Sequence, residues 1–252
     1  MKKEQIGKKT DKGISLLLSI ILVFCILGVV VFSVSRKISK EMSASAVQNL
    51  SESLDMLKCT IEAILNTEAE FQKLMAKEIA GLEDPEAYIL SYEKNQTMIK
   101  ISLIREGETE GISNTGEVFS EEGLDFSMGA TVEGLEISQS YVNHMGTWAY
   151  TMKCPVVKDG EKTATLYIEY IYDSLDDSLP NGFYAQRAML YIMDANTERL
   201  VLKPKGMGER NAGHLNLEDF YRANDIWEEE LLEQVATCLE EGKSIMFYHD
   251  IR

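Results

Sequence analysis

Between Ile14 and Val34 the chain runs 21 residues without a charge, ISLLLSIILVFCILGVVVFSV. A helix of that length at ~1.5 Å per residue spans roughly 30 Å, the thickness of bilayer hydrocarbon, which predicts a transmembrane helix over 14–34. Residues 36–80 contain neither Pro nor Gly. Apolar positions recur there at Val47, Leu50, Leu54, Leu57, Ile61 and Ile64, alternating three and four apart, then at Phe71, Met75 and Ile79 after an interruption at Glu68. That spacing predicts a long helix over 36–80, continuous with the membrane span. Its apolar stripe has two uses open to it: burial against the chain's own sheet, or a homodimer seam. Gly81 and Asp84-Pro85 predict its end.

From residue 98 the period changes to two. Met98 to Arg105 alternates as a strand, Gly107 and Gly111 mark a turn region, and Gly116 to Phe119 resumes extended character. Leu135 to Tyr141 and Trp148 to Val157 read as further strands, with Pro155 marking an edge or a bulge. Asp159-Gly160 predicts a hairpin turn into the partner strand Thr163 to Tyr172, in which Leu166, Ile168, Tyr170 and Tyr172 share one face and Thr165, Tyr167, Glu169 and Ile171 the other. The pattern predicts one antiparallel sheet of about five strands. Residues 173–182 read as a connector.

A second, smaller unit comes next. Strands are expected at Ala188–Met193, Arg199–Lys203 and Ser244–Ile251, a helix from Leu217 capped by Asn216, and another over Ile226–Glu241 stopped by Gly242. The fold class is therefore α+β. An N-terminal transmembrane helix continues into a long helix, followed by two antiparallel-sheet modules, the second incomplete because the chain stops in or just after its third strand. The expected segments are 1–13 cytoplasmic, 14–34 in the membrane, 36–80 the long helix, 81–182 the membrane-distal module and 183–252 the second module.

Charge sharpens the topology. Residues 1–40 carry eight basic and two acidic side chains, and the remaining 17 basic and 39 acidic residues give the rest a balance of −22. Like-charge repulsion excludes nucleic acid and anionic lipid as partners of that acidic part. The basic flank favours a cytoplasmic N-terminus, with everything beyond about residue 36 extracytoplasmic. A cleaved signal peptide would need a shorter apolar run and a clearer processing site than MSASA at 42–46. A pilin-like leader would want Glu where Leu18 stands.

No catalytic signature is present: GxSxG, HExxH, Walker and dinucleotide-binding patterns are all absent. Neither His144, His214 and His249 nor the four cysteines have metal-ligand spacing, so no metal or cofactor is expected, and the cysteines read as buried single thiols. Asp176-Asp177 and Glu228-Glu229-Glu230 read as solvated faces. Trp148, Tyr150 and Tyr170 are either core aromatics or pocket walls.

Local sequence adds a resemblance. Thr147-Trp148-Ala149-Tyr150-Thr151, Cys154-Pro155-Val156-Val157, Asp159-Gly160 and Leu166-Tyr167-Ile168-Glu169-Tyr170 resemble the strand–turn–strand core of the distal module of double Cache sensors. These are tandem PAS-like modules on bacterial receptors. Tyr191-Ile192-Met193-Asp194 with Leu200-Val201-Leu202 resembles the first hairpin of their second module, and Gly206-Met207-Gly208, Leu217 to Tyr221 and Met246 to His249 resemble stretches in clostridial sensor kinases and diguanylate cyclases. The resemblance covers about residues 36–252. It implies a non-enzymatic, ligand-sensing extracytoplasmic region of a membrane receptor, most simply a sensor histidine kinase, alternatively a diguanylate cyclase. An anchored binding protein with no output is a further alternative. It also implies a small-molecule ligand or partner protein, a homodimer through the long helix, and ligand contacts among Tyr141, Trp148, Tyr150, Tyr170 and Asp173. The family pattern meets a ligand carboxylate with Arg, and none stands between Tyr141 and Tyr150.

Overall fold

The computed structural model describes residues 2–93, 98–178, 191–195, 197–202, 216–245 and 247, and the backbone alone for 2–23, 25, 26 and 176–178. The chain divides into two compact units, Met1–Met56 and Leu57–Arg252. Helix α1 covers Lys2–Ala80. Among the described residues no helix is long and apolar enough to cross a membrane. The expected span 14–34 rests largely on side chains outside them. Those of its side chains that are described as large and apolar, Phe24, Leu27, Val29, Val30, Val31, Phe32 and Val34, are all exposed.

In the second unit α1 buries a stripe that includes Leu57, Ala69, Met75, Ala76 and Ile79, while Phe71 and Leu74 stay exposed. The sequence stripe thus divides: Met75 and Ile79 enter the core, and Phe71 belongs to an outer row. Gly81 ends the helix with a tightened last turn, its N–H donating to the Glu78 carbonyl at 3.0 Å. Asp84-Pro85 both breaks α1 and starts α2, Pro85–Ser91, with the Asp84 side chain accepting from the Ala87 N–H.

The main sheet has eight strands against the five expected. They are β1 (Met98–Arg105), β2 (Glu110–Ser113), β3 (Val118–Ser120), β4 (Thr131–Val132), β5 (Leu135–Ile137), β6 (Tyr141–Val142), β7 (Trp148–Lys158) and β8 (Glu161–Ile171). The order is β3-β2-β1-β8-β7-β5-β4, with β6 also on β7. Leu135 to Tyr141 is two short strands rather than one, and β2 and β4 are too short for periodicity to register. The Asp159-Gly160 turn has both residues at positive φ, 53° and 88°, as a two-residue hairpin needs. Pro155 lies in β7 beyond the reach of β5, which pairs only as far as Lys153, and a register shift occurs at Val156/Val157.

Gly111 lies inside β2 rather than in a turn. A Cβ there would stand 1.9 Å from the Leu103 carbonyl oxygen and 2.9 Å from the Ile104 Cα. Glycine lets β2 approach β1 closely, so the position is set by space and not by backbone angle.

One face of the sheet receives α1. Ile101, Leu103, Tyr150, Met152, Cys154, Val156, Leu166, Ile168 and Tyr170 pack there with Ala69, Met75, Ala76, Ile79 and Ile89. Each large aliphatic side chain so buried contributes roughly 1.5–3 kcal/mol. Within this apolar layer Gln72, fully buried, donates from Nε2 to the carbonyls of Met152 (2.9 Å) and Leu166 (3.0 Å). Its Oε1 is buried without a hydrogen-bond partner among the described residues.

The expected connector after β8 begins instead as α3 (Tyr172–Ser178). Residues 179–190 lie outside the described residues, as do Lys203 and most of the strand expected over Ser244–Ile251. The described remainder of the chain comprises β9 (Ile192–Asp194) paired with β10 (Arg199–Leu202), α4 (Leu217–Ala223) and α5 (Glu229–Glu240). Asn216 caps α4 as predicted, accepting from the Asp219 N–H at 2.8 Å, and Gly242 closes α5 at φ 63°. Leu202 packs on Leu57, with Ile61, Tyr172 and Ile192 around them. Of the three cysteines whose side chains are described, only Cys154 is buried; Cys59 is exposed and Cys238 half-buried, all three as free thiols.

Two substitutions test this packing by urea unfolding. Gly111→Ala should cost about 2–3 kcal/mol or more, because neither backbone segment can yield. Gln72→Glu should cost about 3 kcal/mol at neutral pH by aiming a carboxylate at two carbonyls, whereas Gln72→Met should stay within about 1 kcal/mol.

Candidate functional site

The face of the sheet away from α1 is polar, and alternation along β7 and β8 decides its members. Thr151 and Glu169 are register partners, as are Tyr141 and Ala149, which brings Tyr141, Thr151 and Glu169 to one side. The Tyr141 hydroxyl donates to Glu169 Oε2 at 3.0 Å and lies 2.7 Å from Thr151 Oγ1. Asn143 Nδ2 donates to the other Glu169 oxygen at 2.9 Å. The Asn143 Oδ1 accepts from the N–H groups of Met145 and Thr147 and so fixes the turn between β6 and β7. Burial, reinforced by the Glu169 charge, holds the Tyr141 phenol well above its ordinary range, so it remains a donor.

A second cluster lies two residues along β8. The Tyr167 hydroxyl donates to Glu121, and Lys153 Nζ lies 3.1 Å from Glu121 Oε1 and 3.2 Å from Glu136 Oε2. The Lys153 ammonium also sits 4.1 Å from the Phe126 ring centroid. Burial alone would push Glu121 up, but the hydrogen bonds from Tyr167 and Lys153 and the charges of Lys153 and Lys162 leave it below the usual carboxylate range. A cleft of about 640 Å³ opens beside this cluster, lined by Tyr167, Thr165, Glu121, Arg105, Lys162 and Ile104 among others. Between Tyr167 and Ser113 in the register stands Ser102, whose Oγ is buried with no hydrogen-bond partner among the described residues. Lys100, register partner of Glu169, pairs with Glu117 at 3.3 Å.

The other face carries an aromatic group under α1. Tyr150 and Tyr170 stack with centroids 5.5 Å apart, and Tyr172 meets Tyr150 edge-on at 5.1 Å. The Tyr150 hydroxyl donates to Glu68 Oε2 at 2.6 Å. Tyr172 reaches Ser140 Oγ at 2.7 Å, and Ser140 also donates to Asp194 of β9. Asp194 accepts the backbone N–H groups of Ser140 and Thr197, which joins the main sheet to the β9–β10 hairpin.

The five residues singled out by sequence are therefore spread over the sheet. Tyr141 is on the polar face. Tyr150 and Tyr170 are buried on the helix face, and half-buried Trp148 shares their parity in β7. Asp173 is exposed in the first turn of α3. The polar-face groups Glu169, Asn143, Thr151, Ser102 and Lys100 were not singled out. Strand alternation put Glu169 on the face opposite Tyr170, which was the available signal; the contribution of β6 had none. Among the described residues no group of His, Cys, Asp or Glu is arranged to hold a metal ion.

No protein-family model matches the chain, and no curated protein does. Solved structures do. The sensory domain of the Campylobacter jejuni chemoreceptor Tlp3, with isoleucine bound, matches at 12% identity and TM-score 0.51, over 73% of this chain and 82% of that one. The ligand-binding domain of the Pseudomonas aeruginosa amino-acid chemoreceptor PctB, in complex with L-Gln, matches at 12% identity and TM-score 0.50, over 69% and 74%. The fold is that of a Cache-type sensory domain. At this identity the likeness is one of fold alone. Here the long helix backs one face of the sheet, and β6 with its following turn and the loop after β3 supply groups to the other.

Glu68 gives the helix face a pH dependence. Burial, opposed by the Tyr150 hydrogen bond, raises its carboxyl from 4.5 to about 7. The folded chain then holds this proton at pH values where the unfolded chain has released it. The resulting stability is complete below the ordinary carboxylate pKa and is lost as pH rises through about 7. Between pH 5 and pH 8 the loss of unfolding free energy should be about 2 kcal/mol smaller in Glu68→Gln than in the parent. Urea titrations at the two pH values check this; identical slopes would remove Glu68 as the cause.

Proposed function

We propose that this chain is the ligand-sensing region of a membrane-anchored signal-transduction receptor. Ile14–Val34 crosses the bilayer, the N-terminus is cytoplasmic, and residues from about 36 lie outside. The described apolar side chains of that run are exposed, as lipid-facing side chains are. The domain itself performs no chemistry. An output domain, a sensor histidine kinase in the first reading and a diguanylate cyclase in the second, lies beyond these residues.

The observation that carries the reading is the polar sheet face of a sensory fold. Glu169 is held by Tyr141 and Asn143, and the buried Ser102 hydroxyl has no hydrogen-bond partner among the described residues; on the same side of the sheet, beside Tyr167, a cleft of about 640 Å³ opens. The ligand is a small polar molecule carrying both charges. An amino acid fits: Glu169 suits its ammonium, and Lys100, its register partner on β1, suits its carboxylate in place of Arg. The chemoreceptor domains of similar fold were solved with isoleucine and L-Gln. Binding differs in affinity between two positions of α1, and that difference sets how far the signal shifts.

The test is a thermal-shift screen of the full chain in lipid nanodiscs against amino acids and related zwitterions. At saturation a true ligand should raise the midpoint by about 2–8 °C. Glu169→Ala should abolish the shift, and Tyr141→Phe should weaken it. A shift that survives Glu169→Ala unchanged sinks this site, and a thiol label at Trp148→Cys that is reached only from the cytosol sinks the topology.

A further inference from the structure

The outer row of α1 does not simply face away from the sheet. Ile64, Thr67, Glu68 and Phe71 form one wall of an open cleft of about 490 Å³ whose other wall is Met98 of β1 and Tyr170 of β8. That volume is in the range of small-molecule sites. The lining is apolar or aromatic except for two threonine hydroxyls and one carboxyl. The Glu68 carboxyl accepts one hydrogen bond, from Tyr150, while the Tyr170 hydroxyl donates to the Glu68 backbone carbonyl at 3.4 Å, and among the described residues no Lys, Arg or His pairs with the carboxyl. A mostly buried carboxyl without a counter-charge is costly, and the cleft beside it is one cation short. Phe71 and Tyr170, the latter stacked on Tyr150, add aromatic rings to the lining, and aromatic rings attract a desolvated ammonium.

We propose that this cleft is a second ligand site, on the opposite side of the sheet from the polar face, for a monoamine with a compact hydrocarbon body. The ammonium pairs with Glu68, and the hydrocarbon lies against Ile64, Phe71 and Met98. Such an occupant bridges α1 to β1 and β8 and so fixes the helix on the sheet. Through Tyr150 it also touches the Tyr172–Ser140–Asp194 link toward the β9–β10 hairpin. The site does not depend on the ligand proposed for the polar face.

Binding requires the carboxylate. The groups facing Glu68 from β7 and β8, Tyr150 and Tyr170, and Tyr172 of α3 behind them all have phenols raised by burial, so they stay neutral between pH 6 and pH 8; Met98 faces it from β1. With the Glu68 carboxyl titrating near 7, the ionised fraction falls about tenfold between pH 8 and pH 6.

Calorimetry on the full chain in nanodiscs, with empty nanodiscs as reference, tests this using cyclohexylammonium and its neutral counterpart cyclohexanol. Cyclohexylammonium should bind about tenfold more tightly at pH 8 than at pH 6 and at least about tenfold more tightly than cyclohexanol. Glu68→Gln, which keeps an acceptor for Tyr150, should abolish that binding, and Glu70→Gln should leave it intact. Binding that is independent of pH, equal for the alcohol, or retained in Glu68→Gln overturns the proposal. So does the absence of binding at about 10 mM in a chain that sediments as a dimer, which would assign the cleft to a second copy.

Discussion

The burial of α1 against the sheet is the contact on which the remaining features depend, and Gln72 lies at its centre. A glutamine in a layer of Met, Ile and Ala is unfavourable unless its amide is satisfied. Here it is satisfied only in part: the amide N–H groups reach carbonyls of two adjacent strands, and the oxygen finds nothing. The directional bonds fix α1 in rotation and in height over the β7–β8 hairpin, which an aliphatic contact would leave free to slide. The position of α1 on the sheet is thereby set by directional bonds as well as by packing.

The two faces of the sheet are connected through β7 and β8 themselves. Tyr150 and Thr151 are neighbours in sequence and point to opposite sides, as do Glu169 and Tyr170. A shift of β8 that tightens Tyr141 and Asn143 on Glu169 also moves Tyr170 under α1. Tyr172, the first residue after that strand, touches Tyr150 and Ser140, and Ser140 holds Asp194 of the next hairpin. Polar face, helix and second hairpin thus share one rigid element, without any need for a special pathway between them.

The charge distribution fits this division of labour. Acidic residues dominate the chain beyond residue 40, yet several near the sheet are compensated locally: Glu121 and Glu136 by Lys153, Glu117 by Lys100, Glu86 by Arg105, and Glu106 by Lys162. These pairs are exposed or nearly so and add little stability each. They matter more by leaving Glu68 distinct, a carboxyl on the helix face with a phenol for company and, among the described residues, no cation.

Much of this architecture was legible in the order of residues alone. The long helix and its end at Gly81, the β1, β7 and β8 strands, the Asp159-Gly160 hairpin and the Asn216 cap all obey local rules: a period of 3.6 or 2, a residue that tolerates positive φ, a side chain that accepts an orphan N–H. Strand alternation also separated Glu169 from Tyr170. What only the tertiary structure decided is contact between distant segments. β2, β4 and β6 are too short to carry a period and exist because a longer neighbour pairs with them, and Gly111 is required by the nearness of the Leu103 backbone rather than by its own conformation. The candidate residues divided between two faces because Tyr141 arrives on β6 in a register that no local pattern encodes. Residue order determines what each segment prefers to be; which side of a sheet a side chain meets depends on pairing across tens of residues, and that is settled only when the chain has folded.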